Sequence, residues 1–240
     1  MVVYLITGAS RGLGLEFVKQ LSARGDTVIA AARNPDRADA LQSLAKENSN
    51  VHLMALDTVN KESIQAAVKE VDRIAPNGLD VLINNAGIAG NLPNATVLET
   101  TAEEYTNTFE TNVVGTSNVT QAFLPALRKR ETRQIINITS IMGSLAAATY
   151  APDPFHGARI SYRISKAAEN MLSISWSNIL KKEGFIVVPI HPGWVQTDMG
   201  GKNAHITPQE SIASILQYIG SLTPEHSGVF VDEKGFPLPL

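Results

Sequence analysis

The apolar residues of this chain fall into short runs rich in β-branched side chains, at Val2 to Thr7, Thr27 to Ala31, Val51 to Leu56, Leu79 to Ile83, Gln134 to Ile138, Phe185 to Ile190 and Gly228 to Val231. Unbroken apolarity over so few residues is the pattern of strands covered on both faces. Between the runs lie longer stretches with helical spacing, beginning near Leu13, Asp36, Lys61, Thr101, Ser161 and Pro208. Thr207 supplies a capping hydroxyl directly before Pro208, a residue suited to a first helical turn. The alternation predicts an α/β architecture, a doubly wound, seven-stranded parallel sheet with helices on both faces. No repeat, low-complexity tract or linker-like composition interrupts it, so residues 1–240 are read as a single domain.

Ligands of such sheets collect at the carboxyl ends of the strands. Those positions hold Gly8-Ala9-Ser10-Arg11-Gly12, Arg33-Asn34, Asp57-Thr58, Asn84-Asn85-Ala86-Gly87, Thr139-Ser140 and His191-Pro192-Gly193, far more polar and glycine-rich than the strands they follow. The stretch from Thr7 to Gly14 joins the first strand to the first helix, where exposed backbone N–H groups and the helix dipole favour a phosphate. Read as the dinucleotide loop of a Rossmann-type fold, it offers Gly8, Ser10, Arg11, Gly12, Leu13 and Gly14 to the cofactor. A plain tight turn is the simpler alternative. The same letters also spell G-x-S-x-G, the nucleophile elbow of serine hydrolases, with Ser10 as nucleophile. An elbow needs an established sheet before it, whereas one strand precedes Ser10, and it leaves Gly14 unexplained.

An NAD-binding fold places an acid about 20 residues beyond the loop, at the end of the second strand, to hold the adenine ribose. Here that strand ends Ala30-Ala31-Ala32-Arg33. Arg33, with Arg11 in the loop, suits a 2′-phosphate and favours NADP(H). Asp36, turned inward by Asn34-Pro35, leaves NAD(H) open, and both arginines also read as ordinary solvated charges.

Composition narrows the classes. A chain of 240 residues, 44% hydrophobic, can bury one substantial core. Twenty basic against 23 acidic side chains, a formal net charge of -3, give no positive field for DNA or RNA. The absence of cysteine rules out disulfides, thiolate metal sites and cysteine nucleophiles, and fits a reducing, cytoplasmic setting. No export signal and no apolar stretch approaching the roughly 20 residues of a membrane span are seen, so a soluble protein is expected. The histidines at 52, 156, 191, 205 and 226 lack metal-ligand spacing; no metal is expected, and His191 is read as packed beside its turn.

One pair carries acid–base chemistry. Tyr162 and Lys166 stand four apart and share a helix face, where an ammonium favours the phenolate. The positions four after Tyr4, Tyr105, Tyr150 and Tyr218 hold Gly8, Phe109, Pro154 and Leu222 instead. Taken in order, Thr7-Gly8-x-x-x-Gly12-x-Gly14, Asn84-Asn85-Ala86-Gly87, Asn112, Ser140 and Tyr162-x-x-x-Lys166 resemble the short-chain dehydrogenases/reductases over essentially the whole chain. Tyr162-Arg163-Ile164-Ser165-Lys166, the run His191 to Gly201 and the Gly235-x-Pro237-Leu238-Pro239 ending resemble the C-factor and sniffer group of carbonyl reductases.

The resemblance implies an oxidoreductase that moves hydride between NADP(H) and a carbonyl or alcohol. Tyr162 would serve as general acid/base, Ser140 would orient the substrate oxygen, and Lys166 would also bind the nicotinamide ribose. Asn112 would hold a water linking Lys166 to solvent. It further implies that Asp57 meets the adenine ring and that Asn84, Asn85, Ala86 and Gly87 line the adenine side and stabilise the central sheet. Pro192 and Gly193 would turn beneath the nicotinamide, Val195 and Thr197 would hold its carboxamide or a phosphate, and Met199-Gly200-Gly201 would hinge a lid. A protein that binds the cofactor as a non-catalytic sensor or scaffold is the remaining alternative, and the complete Asn112, Ser140, Tyr162 and Lys166 set counts against it.

The 22 positions from Ser140 to Tyr162 exceed the dozen or so usual in the family. The additional segment, Thr149 to Ile160, contains Pro152, Pro154 and Gly157 among Tyr150, Phe155 and His156, and is read either as a wall of the substrate pocket or as a surface loop. With Met142, Trp194 and Met199, its aromatic residues suggest a hydrophobic or aromatic ketone or aldehyde as small-molecule partner. Long helices expected over Thr101 to Arg130 and Ser161 to Lys182 suggest a homodimer or homotetramer.

Overall fold

The computed structural model of the chain describes residues 1–150 and 157–240. Pro152, Pro154, Phe155 and His156 therefore lie outside the described residues. Six strands, β1 (Val3–Thr7), β2 (Thr27–Ala32), β3 (Val51–Ala55), β4 (Val81–Asn84), β5 (Gln134–Ile138) and β6 (Ile186–Ile190), form one parallel sheet in the order β3-β2-β1-β4-β5-β6. This is the doubly wound Rossmann order, and the chain reverses direction across the sheet between β1 and β4.

Alternate residues of each strand feed opposite layers. Tyr4 and Ile6 of β1 pack with α1 (Gly12–Ala23), α2 (Asp39–Glu47) and α8 (Pro208–Ile219), through Phe17, Leu21, Leu41, Ile212 and Ile215. Val3 and Leu5 face α3 (Lys61–Ile74), α5 (Gly115–Arg128) and the end of α7 (Ile160–Leu180), through Ile64, Val71, Phe123, Leu127 and Leu180. Period-two alternation between two dry layers is why the strands read as unbroken apolar runs. β3 departs from the pattern: His52 and Leu53 are half-buried and Ala55 is exposed, as suits an edge strand.

The expected seventh strand is not formed. Gly228 to Val231 runs beside β6, with Gly228 N–H donating to Val187 O at 2.8 Å, Val231 N–H to Pro189 O at 3.2 Å and His191 N–H to Val231 O at 2.8 Å. A single bridge, Ile190 to Val231, results. On this edge of β6 the odd-numbered backbone groups face the seventh segment, and Pro189 has no N–H to donate. The ladder is broken at its middle rung.

Helix boundaries also moved. Pro35–Arg37 forms a 3₁₀ turn and α2 starts at Asp39 rather than near Asp36. The long helix expected over Thr101 to Arg130 is α4 (Ala102–Phe109), a π-helical turn (Glu110–Val114) and α5. Thr101 caps α4 by accepting from Glu104 N–H. The short α6 (Leu145–Tyr150) precedes α7, which stops at Leu180, and a 3₁₀ turn, Lys181–Glu183, follows. The cap at Thr207 is present in full, with Glu210 reaching back to close the capping box. Among the described residues, no helix is long and apolar enough to cross a membrane.

Candidate active site

Lys166 lies at the centre of the polar cluster above β4 and β5. The residue is 4% exposed, and its Nζ donates to Ile138 O at 2.9 Å, two residues before Ser140. It stands 5.7 Å from the centroid of the Tyr162 ring, one turn earlier on α7. Ser140 lies two residues beyond β5 and caps the 3₁₀ turn Ile141–Gly143, its Oγ accepting from Met142 N–H at 3.1 Å. Its hydroxyl proton is left for another acceptor. Thr139 fastens β5 to α7 by donating to Asn170 Oδ1 at 2.7 Å. The strand end and the helix are thus held in one relative position.

Asn112 occupies the π-helical turn and is fully buried. Its Oδ1 accepts from Ile88 N–H at 2.8 Å, while its Nδ2 donates to Ile88 O at 2.9 Å and to Ser165 Oγ at 2.9 Å. One amide therefore ties the loop after β4 to α7. The extra residue of a π turn reorients the helix locally, a feature concentrated at functional sites. A Cβ on Gly87 would lie 3.2 Å from Asn112 Oδ1 and 3.6 Å from Lys166 Nζ, so this loop borders both. The structure brings Asn112, Ser140, Tyr162 and Lys166 into one neighbourhood at the carboxyl edge of the sheet.

The glycine loop sits at the switch between β1 and β4. Gly8 has φ +67°, and a Cβ on Gly14 would stand 2.2 Å from Gly8 O, so the loop folds back on itself in a way a side chain forbids. Asn85 clamps it, donating from Nδ2 to Thr7 O at 2.9 Å and Gly8 O at 3.2 Å. Thr7 Oγ1 accepts from the N–H groups of Asn85 and Ala86, each at 3.0 Å. Asn85 and Ala86 thus shape the loop. The N-terminus of α1 begins at Gly12, beside Leu13, and across the cleft Thr197 Cγ2 lies 3.7 Å from where a Gly12 Cβ would be. A backbone cradle with no side chain on its floor, at a helix N-terminus, fits a pyrophosphate.

Around the cradle, Arg33 is exposed just beyond β2, and Arg11 pairs with Asp198 at 3.0 Å, both largely in water. Asp57 turns its carboxylate to its own loop, accepting from Val59 N–H at 3.2 Å. Pro192 O accepts from Ser211 Oγ at 2.6 Å, which fixes the turn at Gly193 against α8. Val195 O accepts from Thr197 N–H at 2.8 Å, and Gly201 N–H donates to Thr197 O at 2.8 Å, closing a tight loop through Met199 and Gly200. Among the described residues, no histidine or acid is hydrogen-bonded to the Ser10 hydroxyl. His191 is half-buried with its Nδ1 out of solvent, and desolvation pulls its imidazole down to about 4, partly opposed by Asp232.

The family follows from the sequence match: residues 2–206 fit the short chain dehydrogenase family. The chain belongs to the short-chain dehydrogenases. An uncharacterised oxidoreductase of Schizosaccharomyces pombe is 37% identical over 255 residues, covering 99% of this chain and 97% of the relative. The carbonyl reductase Sniffer of D. melanogaster superposes with a TM-score of 0.92 at 34% identity, covering 100% of both chains. An NADPH-bound carbonyl reductase from chicken fatty liver superposes with a TM-score of 0.91 at 36% identity, again over 100% of both chains. The resemblance to carbonyl reductases of the sniffer group is thus present in the whole fold.

For a short-chain dehydrogenase, the site also contains groups that motif reading passed over. Glu169 is 1% exposed and meets Lys166 Nζ at 2.5 Å. Asn137 accepts from Asn84 Nδ2 at 2.8 Å and donates to Ser173 Oγ at 2.8 Å, carrying a buried polar seam from the sheet into α7. Its signal was visible as a polar residue inside the apolar run Gln134 to Ile138. A cavity of about 520 Å³ opens beside the site, lined by Met142, Ser144, Leu145, Ile160 and Ile164 among others. Of the apolar residues expected around a substrate, Met142 lines it, while Tyr150 is exposed at 88% and Met199 at 41%. Neither Ser140 nor Tyr162 borders this cavity, so its apolar wall flanks the polar cluster instead of enclosing it.

Proposed function

We propose that this chain is an NADP(H)-dependent carbonyl reductase acting on ketones or aldehydes. The observation that carries the reading is the placement of Tyr162 on α7 with the buried Lys166 ammonium 5.7 Å from its ring, at the sheet edge where Ser140 follows β5. NADP(H), when bound, supplies or accepts the hydride. In carbonyl reduction Tyr162 gives its phenolic proton to the substrate oxygen. Ser140 donates its hydroxyl hydrogen bond to the same oxygen and orients it. Lys166 keeps a positive charge beside the phenolate that forms, and Asn112 holds the surrounding loops in register.

Gly8, Ser10, Gly12, Leu13 and Gly14 form the pyrophosphate cradle in this proposal, with Arg33 and Arg11 on the 2′-phosphate. Arg11 exchanges Asp198 for that phosphate, a small cost because the pair is exposed. Asp57, Gly87, Pro192, Gly193, Val195 and Thr197 border the remaining length of the cofactor. The apolar cavity beside Met142 supports a hydrophobic or aromatic carbonyl substrate. Exposed Ile164, Met171 and Ile179 lie along one face of α7 and support self-association.

The deciding experiment follows NADPH and NADH absorbance in parallel with a panel of ketones, aldehydes and quinones. Oxidation of NADPH that disappears in Tyr162→Phe is expected. Cofactor binding without turnover on any substrate would identify a sensor instead.

A further inference from the structure

Glu169 is a buried carboxylate beside the site that the reaction outlined above does not use. It lies three residues after Lys166 on α7, and its Oε2 is 2.5 Å from Nζ. Neither member reaches solvent: the side chains are 5% and 1% exposed. An ammonium taken out of water is strongly disfavoured unless a countercharge is close. Besides Glu169, Lys166 Nζ has the neutral carbonyl of Ile138 as partner. The other groups at hand are a phenol, a hydroxyl and an amide. Tyr162 lies on the same helix, the Thr116 hydroxyl faces Glu169 from α5, and Asn112 borders from the π turn.

We propose that Glu169 is a positioning residue: its carboxylate is the countercharge that keeps the buried Lys166 an ammonium, and so keeps a cation beside Tyr162. The idea rests on the reductase reading for its catalytic meaning, but its physical core is a statement about this ion pair alone. Burial works against the Lys166 charge, and the attraction of Glu169, followed by that of Tyr162, outweighs it and holds the amine above its ordinary range. Burial raises the Glu169 carboxyl, opposed by Lys166 and Thr116. Without the carboxylate, desolvation is left to act on Lys166 with little to oppose it, and the amine sheds its proton at lower pH. The catalytic consequence has a fixed sign. Carbonyl reduction needs both the phenol proton and the ammonium, so removing the buried anion makes the fully protonated pair lose its first proton sooner.

The test compares wild type, Glu169→Gln and Glu169→Asp. Lysine side chains are labelled with a heavy nitrogen isotope, and the Lys166 resonance is identified by its loss in Lys166→Met. In the ligand-free protein, Glu169→Gln is expected to lower the Lys166 titration midpoint by at least about one pH unit, and Glu169→Asp by less. The alkaline limb of NADPH-dependent reduction should move down with it. If Glu169→Gln does not fold, the Asp variant carries the comparison, because it keeps the charge and only lengthens the contact. An unmoved or raised Lys166 midpoint in the folded variants overturns the inference. A wild type that turns over no carbonyl removes the reductase reading, while the nitrogen titration still decides the role of Glu169.

Discussion

Asn112 and Ser165, 53 residues apart in sequence, meet in a 2.9 Å hydrogen bond that joins the π-helical turn to α7 three residues after Tyr162. The same amide satisfies both backbone groups of Ile88. The loop after β4, the π turn and α7 therefore move as one body, although each comes from a different part of the chain.

Asn112→Leu should break that body. It leaves the N–H and carbonyl of half-buried Ile88 without their amide partner and takes one donor from the Ser165 hydroxyl, which still donates to Tyr162 O, at about 1–3 kcal/mol for each group that finds no water. A loss of roughly 3 kcal/mol in unfolding free energy is expected by urea denaturation, together with reduced turnover. Full stability in this variant would show that water replaces the amide without cost.

Tyr162→Phe removes the phenolic proton and almost nothing else. A fall of about 10²–10⁴-fold in kcat/KM is expected, with NADPH affinity changed little, because the site's other groups stay in place. Stopped-flow absorbance for turnover and fluorescence titration for cofactor binding separate the two effects. A matching loss of NADPH affinity would mean that the ring shapes the cofactor site and is not merely the proton source.

Arg33 sits exposed beyond β2, where a ribose-binding acid would stand in an NAD-dependent sheet. Charge-assisted bonds to phosphate are worth about 1.5–3 kcal/mol. Arg33→Ser should therefore weaken NADPH about 10–100-fold and leave NADH almost unaffected, read as dissociation constants at fixed salt. Equal weakening of both cofactors would move the 2′-phosphate elsewhere.

The parts legible in the sequence are those written in local patterns. Six of the seven strand runs, the glycine loop and the Tyr162/Lys166 spacing each need only a few neighbouring residues, and all stand where the pattern puts them. What escaped depends on partners far along the chain. The segment Gly228 to Val231 has the composition of a strand, but its pairing is decided by Pro189 on the neighbouring strand. Nothing near Asn112 announces a π turn, because the bonds that hold its amide come from Ile88 and Ser165. Glu169 reads as an ordinary helical charge until the fold buries it against Lys166.

His191 offers a test of burial without catalysis. Its imidazole is pulled by burial from the usual 6.5 down to about 4, with Asp232 opposing in part. The native state therefore stays neutral where the unfolded chain already takes up a proton. The stabilising contribution is complete above pH 6.5 and is lost as pH falls toward about 4. Integrated over that window the linkage amounts to about 3 kcal/mol. His191→Gln, which cannot titrate, should lose stability less steeply between those two pH values in urea unfolding, even if it starts less stable at neutral pH. Parallel curves for the two proteins would mean that the native imidazole accepts its proton as readily as the unfolded one, through a hydrogen bond or water that reaches Nδ1.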